Sequence, residues 1–369
     1  MTTPTLPLDL SSREIRDVVG DFYGLRPVAV TALDSELSAV AELDLGSTRG
    51  VFKAVRYSPV DLDLARWRVG AVEHLYRAGV PVGRTFRNRD GELVSVVTTG
   101  SGPVIAHVSE WLLGVPLEDT EATPALLAHV GETAAAVARG LESWPEPPSE
   151  VSHLWDLVRT SETLAEASPW VSDPRTREVV QSAASRFAET VEPVILTLPR
   201  ATVHHDLHDS NLLTDPVAGV VSGVLDFGDM VEGPRVAELA VAAAYASRGA
   251  ADPTRAFLQV AQGWGRNVQL SDAEIGVVFD AGIARLAVNA AVWASRRDTG
   301  RAGYAHARSQ RSTSALTALL GADRARVDSE LRQRLGSGKG AAAAPAQPPG
   351  AVEPSSSDTE RGSAALEGN

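Results

Sequence analysis

One short stretch of the chain concentrates side chains capable of chemistry: His204-His205-Asp206-Leu207-His208-Asp209-Ser210-Asn211. A second, Asp226-Phe227-Gly228-Asp229, begins fifteen residues after Asn211. Between them, Leu212-Leu213-Thr214 and Val220–Leu225 read as strands joined by a turn at Asp215-Pro216-Val217-Ala218-Gly219. Asp206 and Asn211 are five apart on either side of one loop, so both can face one cleft. The hairpin then returns Asp226 beside Asn211. Phosphoryl transfer from a nucleotide asks for few protein groups. One carboxylate orients the attacking hydroxyl and takes its proton, an amide oxygen and another carboxylate hold magnesium, and a lysine steadies the phosphates. The order of Asp206, Asn211, hairpin and Asp-Phe-Gly meets that requirement.

Other uses of the same residues have to be weighed. His204 and His208 have the four-residue spacing of a helical zinc pair. That reading leaves Asn211 and the Asp-Phe-Gly segment unexplained, and oxygen ligands suit magnesium better. Asp226 alone could merely close a turn. Lys53 lies in a strand where alternation puts Val51, Lys53 and Val55 on one face. It could snorkel from a sheet edge or serve the phosphates. Glu238 sits among Val236, Leu239 and Ala240 on an apolar helix face, which favours a structural role. Gly336-Ser337-Gly338-Lys339-Gly340 has the wrong spacing for a phosphate loop, and no strand precedes it.

These motifs resemble the aminoglycoside phosphotransferase and choline kinase superfamily, whose fold is similar to that of protein kinases. His204, Asp206 and Asn211 follow its His-x-Asp-x-x-x-x-Asn pattern. The run from Val221 to Met230, the following Val236-Ala237-Glu238-Leu239-Ala240 and the N-terminal Phe22-Tyr23-Gly24-Leu25 look like the hydroxylysine kinase branch. The resemblance covers about residues 11–320 and is most specific at 204–240. It implies that Asp206 is the catalytic base, that His204 braces its loop, and that Asn211 and Asp226 bind magnesium. Lys53 would contact the α and β phosphates of ATP, with GTP as the alternative donor. Ser109, Glu110, Trp111 and Leu112 would form the hinge for the adenine, and residues 34–38 the turn covering the phosphates. Asp209 and Asp229 are candidate substrate contacts. The acceptor would be a small hydroxy-amine: a hydroxy amino acid like 5-hydroxylysine, another amino alcohol or an aminoglycoside. A catalytically weak nucleotide-binding regulator is the reading from another class. One departure stands out. Kinases usually fix the strand lysine with a helix glutamate, and the expected place here is near Arg68. Glu73, five residues on, falls on another face of the helix, so Lys53 should pair elsewhere.

The elements that must position these residues are legible as a bilobal α+β arrangement. Ser11-Ser12-Arg13-Glu14 is a capping box opening a helix that Gly24 ends. Strands follow at 28–30, 38–43 and 51–55, then a helix at about 62–78 stopped by Gly79 and Pro81. Residues 84–87, 93–98 and 104–111 read as further strands. Gly114-Val115-Pro116 marks the boundary between an N-terminal nucleotide-binding lobe, 11–113, and a C-terminal catalytic and substrate lobe, 114–335. Helices are expected there at 122–141, 154–167, 174–196, 235–247, 253–265, 271–296 and 301–320. The tail, 336–369, is rich in Gly, Ala, Pro and Ser and reads as disordered. Trp155, Trp264, Trp293 and Tyr304 read as core, with a cation–π lining role as the alternative. Arg285 and Arg296-Arg297 read as surface residues that could also grip a substrate carboxylate.

Composition narrows the classes. A net charge of −13 over 369 residues repels phosphate backbones, which argues against nucleic acid as a partner. The absence of cysteine excludes disulfides, thiolate metal sites and a cysteine nucleophile. Met1–Leu10 lacks the basic start and apolar run of a signal peptide, and no apolar stretch is expected to approach the ~18 residues of a bilayer span. The expectation is a cytoplasmic enzyme with no membrane partner.

Overall fold

The computed structural model describes residues 8–35, 37–295 and 302–336, without the side chains of 302–308. Arg296, Arg297, the side chain of Tyr304, Glu36 of the phosphate-covering turn and the tail from 337 lie outside the described residues. Helix α1 (Ser12–Tyr23) starts on the expected capping box: the Ser11 hydroxyl accepts from Glu14 N and Glu14 accepts from Ser11 N. It ends at Gly24, whose φ of 68° is the left-handed turn that glycine takes at no steric cost. Strands β1 (Ala29–Leu33), β2 (Ala39–Asp44) and β3 (Arg49–Arg56) follow, then helix α2 (Pro59–Arg77), β4 (Ser95–Thr99) and β5 (Gly102–Glu110). The five strands form an antiparallel sheet in the order β1-β2-β3-β5-β4. The segment 84–87 is not one of them. Thr85 makes a single bridge to Ser109 instead.

Alternation along β3 divides its side chains between two faces. Gly50, Phe52 and Ala54 are buried, with Phe52 and Ala54 under Ile15, Val18 and Val19 of α1, and Lys53 points the other way. Helix α2 belongs to a different apolar cluster: Trp67, Ala71 and Leu75 pack into the core of the helical half. Trp67 Nε1 donates to Pro145 O at 2.7 Å, and His74 Nε2 lies 3.0 Å from Gly140 O. So the helix that follows the lysine strand is anchored to the helical half, not to the sheet alone.

Beyond the sheet, β6 (Val115–Pro116) pairs with β8 (Leu212–Asp215), which forms a hairpin with β9 (Val220–Val224). Strand β7 (Arg200–Val203) pairs with β10 (Val231–Pro234). Around them stand α3 (Pro124–Leu141), α4 (Thr160–Ala167), α5 (Pro174–Thr190), α6 (Val236–Ala246), α7 (Pro253–Gly265), α8 (Asp272–Ser295), α9 (Ala302–Leu320) and α10 (Arg324–Leu335). Helix α4 is shorter than expected because a 3-10 turn at Leu157–Arg159 precedes it. Helix α5 stops at Thr190 rather than 196, since Pro193 cannot continue a helix. Helix α10 was not expected from the sequence. It starts on the Asp323 cap and buries Val327, Leu331 and Leu335 at four-residue spacing. Gly131 lets α3 approach α7 closely, because a Cβ there would lie 1.9 Å from Val260 O. The membrane-length expectation needs correction. Helix α8 is long and apolar enough to span a bilayer, but 94% of its apolar window is buried within the fold, as in a core helix.

Candidate active site

The loop between β7 and β8 is held from beneath by α6. Glu238 is fully buried, and its two carboxyl oxygens accept the amides of His204 (2.6 Å) and His205 (3.3 Å). Burial, against those two bonds, pushes its pKa up to about 7. The His204 ring is sandwiched between the two motifs. Its Nε2 lies 2.9 Å from Leu225 O, the carbonyl before Asp226, and its Nδ1 accepts from Asp206 N at 3.2 Å. Those partners place the proton on Nε2. Burial lowers the His204 pKa to about 4, so the ring stays neutral in its bracing role. His205 is left-handed, with a φ of 66°, and so is Asp226 at 55°. They are the only non-glycine residues with positive φ among those described, and one stands in each motif. Such strain persists where surrounding contacts over-determine the backbone, and it clusters at functional sites.

Asp206 is held at both carboxylate oxygens. Asn211 Nδ2 donates to Oδ2 at 2.9 Å, and Arg285 donates to Oδ1 at 2.9 Å. His208 Nε2 stands 3.4 Å from Oδ2, while its Nδ1 accepts from Ser210 N. Arg285 comes from the middle of α8 and is 2% exposed, so it is neither a surface residue nor open to a substrate carboxylate. It also donates to the Trp155 carbonyl and lies over the Trp155 ring at 5.2 Å. Burial opposes its charge. The Tyr245 hydroxyl and the Asp206 and Asp229 carboxylates outweigh that and hold its pKa above the usual value.

The expected separation of Lys53 from a helix glutamate is explained by a direct contact. Lys53 Nζ lies 2.9 Å from Asp226 Oδ1, and Glu73 pairs with Arg77 instead. The lysine charge, against burial, holds the Asp226 carboxyl well below the usual carboxylate range. Asp226 is walled by protein on most sides, yet its side chain is 52% exposed because it opens into the cleft. Gly228 N also donates to Oδ1. That leaves Asp226 Oδ2, together with Asn211 Oδ1, whose amide nitrogen is committed to Asp206. One carboxylate and one amide oxygen fit a hard cation such as magnesium, which keeps several waters and substrate oxygens in its shell. Among the described residues no cluster of three His, Asp or Glu side chains could hold a metal, so the histidines do not form a zinc site.

At the hinge, Ser109 pairs with Val51 and Glu110 with Gly50 across β5 and β3. Trp111 N donates to Arg49 O, and the Arg49 guanidinium lies over the Trp111 ring at 4.8 Å. The next amide, Leu112, donates to none of the described residues. A cavity of about 840 Å³ at the outer edge of the hinge is lined by Glu42, Arg49, Glu110 and Trp111, and it does not reach Lys53. The two candidate substrate aspartates separate. Asp209 is buried and its carboxylate is taken by Nε and Nη2 of Arg248, which corrects its expected place as a substrate contact. Asp229 is half-buried at the end of the turn after Asp226, and its carbonyl lies 3.0 Å from His153 Nε2. Trp264 is core, and Trp155 meets a cation of the protein's own.

Residues 49–272 match the model of the phosphotransferase enzyme family, more than half of the chain. The chain belongs to that family. By sequence it is similar to hydroxylysine kinase of Xenopus laevis, 27% identical over 218 residues covering 54% of this chain and 58% of the relative. It is also similar to hydroxylysine kinase of Danio rerio, 25% identical over 289 residues covering 74% and 81%. The matched segment thus spans less than two thirds of the Xenopus relative. By structure it resembles amicoumacin kinase hAmiN in complex with AMP-PNP, Ca2+ and Ami, with a TM-score of 0.62 at 15% identity, covering 86% and 97% of the two chains. A microcompartment-associated aminopropanol kinase gives 0.59 at 14% identity over 86% and 97%. At such identities the likeness shows the fold, which is the protein-kinase-like fold of this family.

In this phosphotransferase chain the structure brings Lys53, Asp206, Asn211 and Asp226 together, with His204 buried beneath them as the brace of the loop. Beneath the loop, Glu238 has the structural role expected of it, whereas Arg285 supports Asp206 from the core rather than lying at the surface. Glu238 and Arg285 both had a signal: each is a charged residue inside an otherwise apolar helix, where it must find a partner.

Proposed function

We propose that this chain is a small-molecule kinase. It moves the γ-phosphoryl group of ATP to a hydroxyl of an amino alcohol or hydroxy amino acid of the 5-hydroxylysine kind. The observation that carries the reading is Asp206 held beside Asn211, with Asp226 returned to the same cleft by the β8–β9 hairpin. Asp206 orients the acceptor hydroxyl and takes its proton as the oxygen bonds to the γ-phosphorus. The bond from that phosphorus to the β,γ-bridging oxygen breaks, and ADP leaves. Asn211 and Asp226 would hold magnesium, which supplies charge neutralisation on the phosphates. Lys53 serves the phosphates, and the Leu112 amide is available to the adenine.

The rim beside the loop bears on the acceptor. Glu118 accepts from Ser210 Oγ at 2.5 Å and from Arg311 at 3.0 Å. A rim carrying both signs suits a zwitterionic amino acid better than a polycationic aminoglycoside. The names of the sequence relatives point the same way. The test is a panel of hydroxy-amines, 5-hydroxylysine, aminopropanol and aminoglycosides, incubated with ATP and magnesium and read by phosphorus NMR. A phosphomonoester on hydroxylysine or an amino alcohol is the expected outcome. Nucleotide binding with no acceptor phosphorylated would leave only the regulatory reading.

A further inference from the structure

Helix α2 carries a guanidinium, Arg68, at the place where a kinase helix carboxylate is expected. Arg68 Nε is buried without an acceptor, and no described residue takes a hydrogen bond from this side chain. Helix α2 packs against the Phe227–Asp229 turn, and the carboxylates that act on Arg68 are Asp229, then Asp226, then Asp61. Burial, the larger effect, lowers its pKa from the usual value against those carboxylates. A half-buried guanidinium with an orphaned Nε has a donor open to water or to an anion from outside the chain. Its position is also fixed. The adjacent Trp67 is tied to Pro145 O, and His74 to Gly140 O, so α2 holds Arg68 against the helical half.

We propose that Arg68 is a second phosphate-binding residue, gripping the polyphosphate of the nucleotide together with Lys53. A planar guanidinium fork matches two phosphate oxygens at once, which the single ammonium of Lys53 cannot do. The charges are consistent with this. Lys53 is paired with Asp226, and Asp229 attracts Arg68. Lys53 would turn to the phosphates where Asp226 holds magnesium, and Arg68 has its orphaned Nε donor to offer. The inference rests on the nucleotide-binding reading above.

The test is calorimetric titration of ATP with magnesium, ADP and adenosine into the full chain and into R68Q, R68K and D229N. R68Q is expected to weaken ATP and ADP by roughly ten- to a hundredfold, the scale of a hydrogen bond to a charged group, and to leave adenosine unchanged. R68K should recover part of the loss, and D229N should not reproduce it. Adenosine affinity serves as the folding control. Native-like ATP affinity in R68Q overturns the proposal. So does an equal loss for adenosine, or a D229N variant that matches R68Q, since either makes Arg68 a latch between α2 and the turn. If the native chain binds no ATP, the nucleotide reading falls and this proposal with it. Native binding with an unaffected R68Q sinks this proposal alone.

Discussion

The block of residues 200–234, which carries the two motifs, and the half made of the sheet and α2 meet at Asp226, but they arrive by different means. In the block, chemistry is local: Asp206 and Asn211 share one loop, and a hairpin of a few residues returns Asp226. In the other half it is assembled across distance. Lys53 reaches Asp226 over 173 residues of chain, and Arg68 comes from a helix anchored to a different core. The lesson is that short-range geometry constrains residue types at fixed spacing, while long-range geometry tolerates exchange. A lysine can lose its helix glutamate because Asp226 takes it up. The Asp206–Asn211 contact has no such freedom.

Substitutions on the two sides should therefore fail differently. Asp226→Asn removes the carboxylate oxygen proposed for magnesium, and kcat should fall by roughly a thousandfold, with magnesium dependence of nucleotide binding lost in titration. Unchanged magnesium dependence would remove Asp226 from the metal site. Arg285→Met leaves Asp206 without its buried partner, and chemical denaturation should show a loss of about 3 kcal/mol. Arg285→Lys should recover little, because one ammonium cannot reach both Asp206 and the Trp155 carbonyl in the guanidinium's geometry. Lys53→Met on the sheet side should raise KM for ATP by roughly tenfold with a smaller change in stability. A stability loss as large as that of Arg285→Met would erase the contrast between the halves.

The smallest effect is a pH profile. His204 and His107, the residue opposite Lys53 across β5 and β3, are held at about 4 by burial, against 6.5 unfolded. The stability each contributes is full above 6.5 and is lost as pH falls through 4. Glu238 runs the other way. Its folded pKa of about 7, against 4.5 unfolded, gives stability that is full below 4.5 and lost as pH rises through 7. Glu238→Gln should keep the acid limb and lose the second one. The Tm difference between native protein and variant should then shrink as pH rises from 4.5 to 7. A constant difference would mean that Glu238 is already ionised in the fold.

The same contrast explains what was legible in the sequence. The capping box at Ser11, the hairpin turn at Asp215–Gly219 and the two motifs were readable because each depends on neighbours a few residues away. The place of Lys53 followed from strand alternation. The pairing of Asp209 with Arg248 and of Asp206 with Arg285 did not, because it depends on how α6 and α8 are rotated against the loop. Asp209 has the same local signature as a cleft residue; only the long-range packing turns it inward. Helix α10 is not legible in the sequence because three apolar residues among many charged ones make a thin stripe, sufficient only when a core is there to receive it.

The most direct test of the account is a comparison of native protein and Asp206→Asn in a single turnover with ATP, magnesium and 5-hydroxylysine or the best acceptor of the panel. ATP binding is measured on the same samples. The account expects the variant to bind ATP like the native protein and to transfer phosphoryl roughly 10²- to 10⁴-fold more slowly. Transfer at the native rate by Asp206→Asn would contradict it.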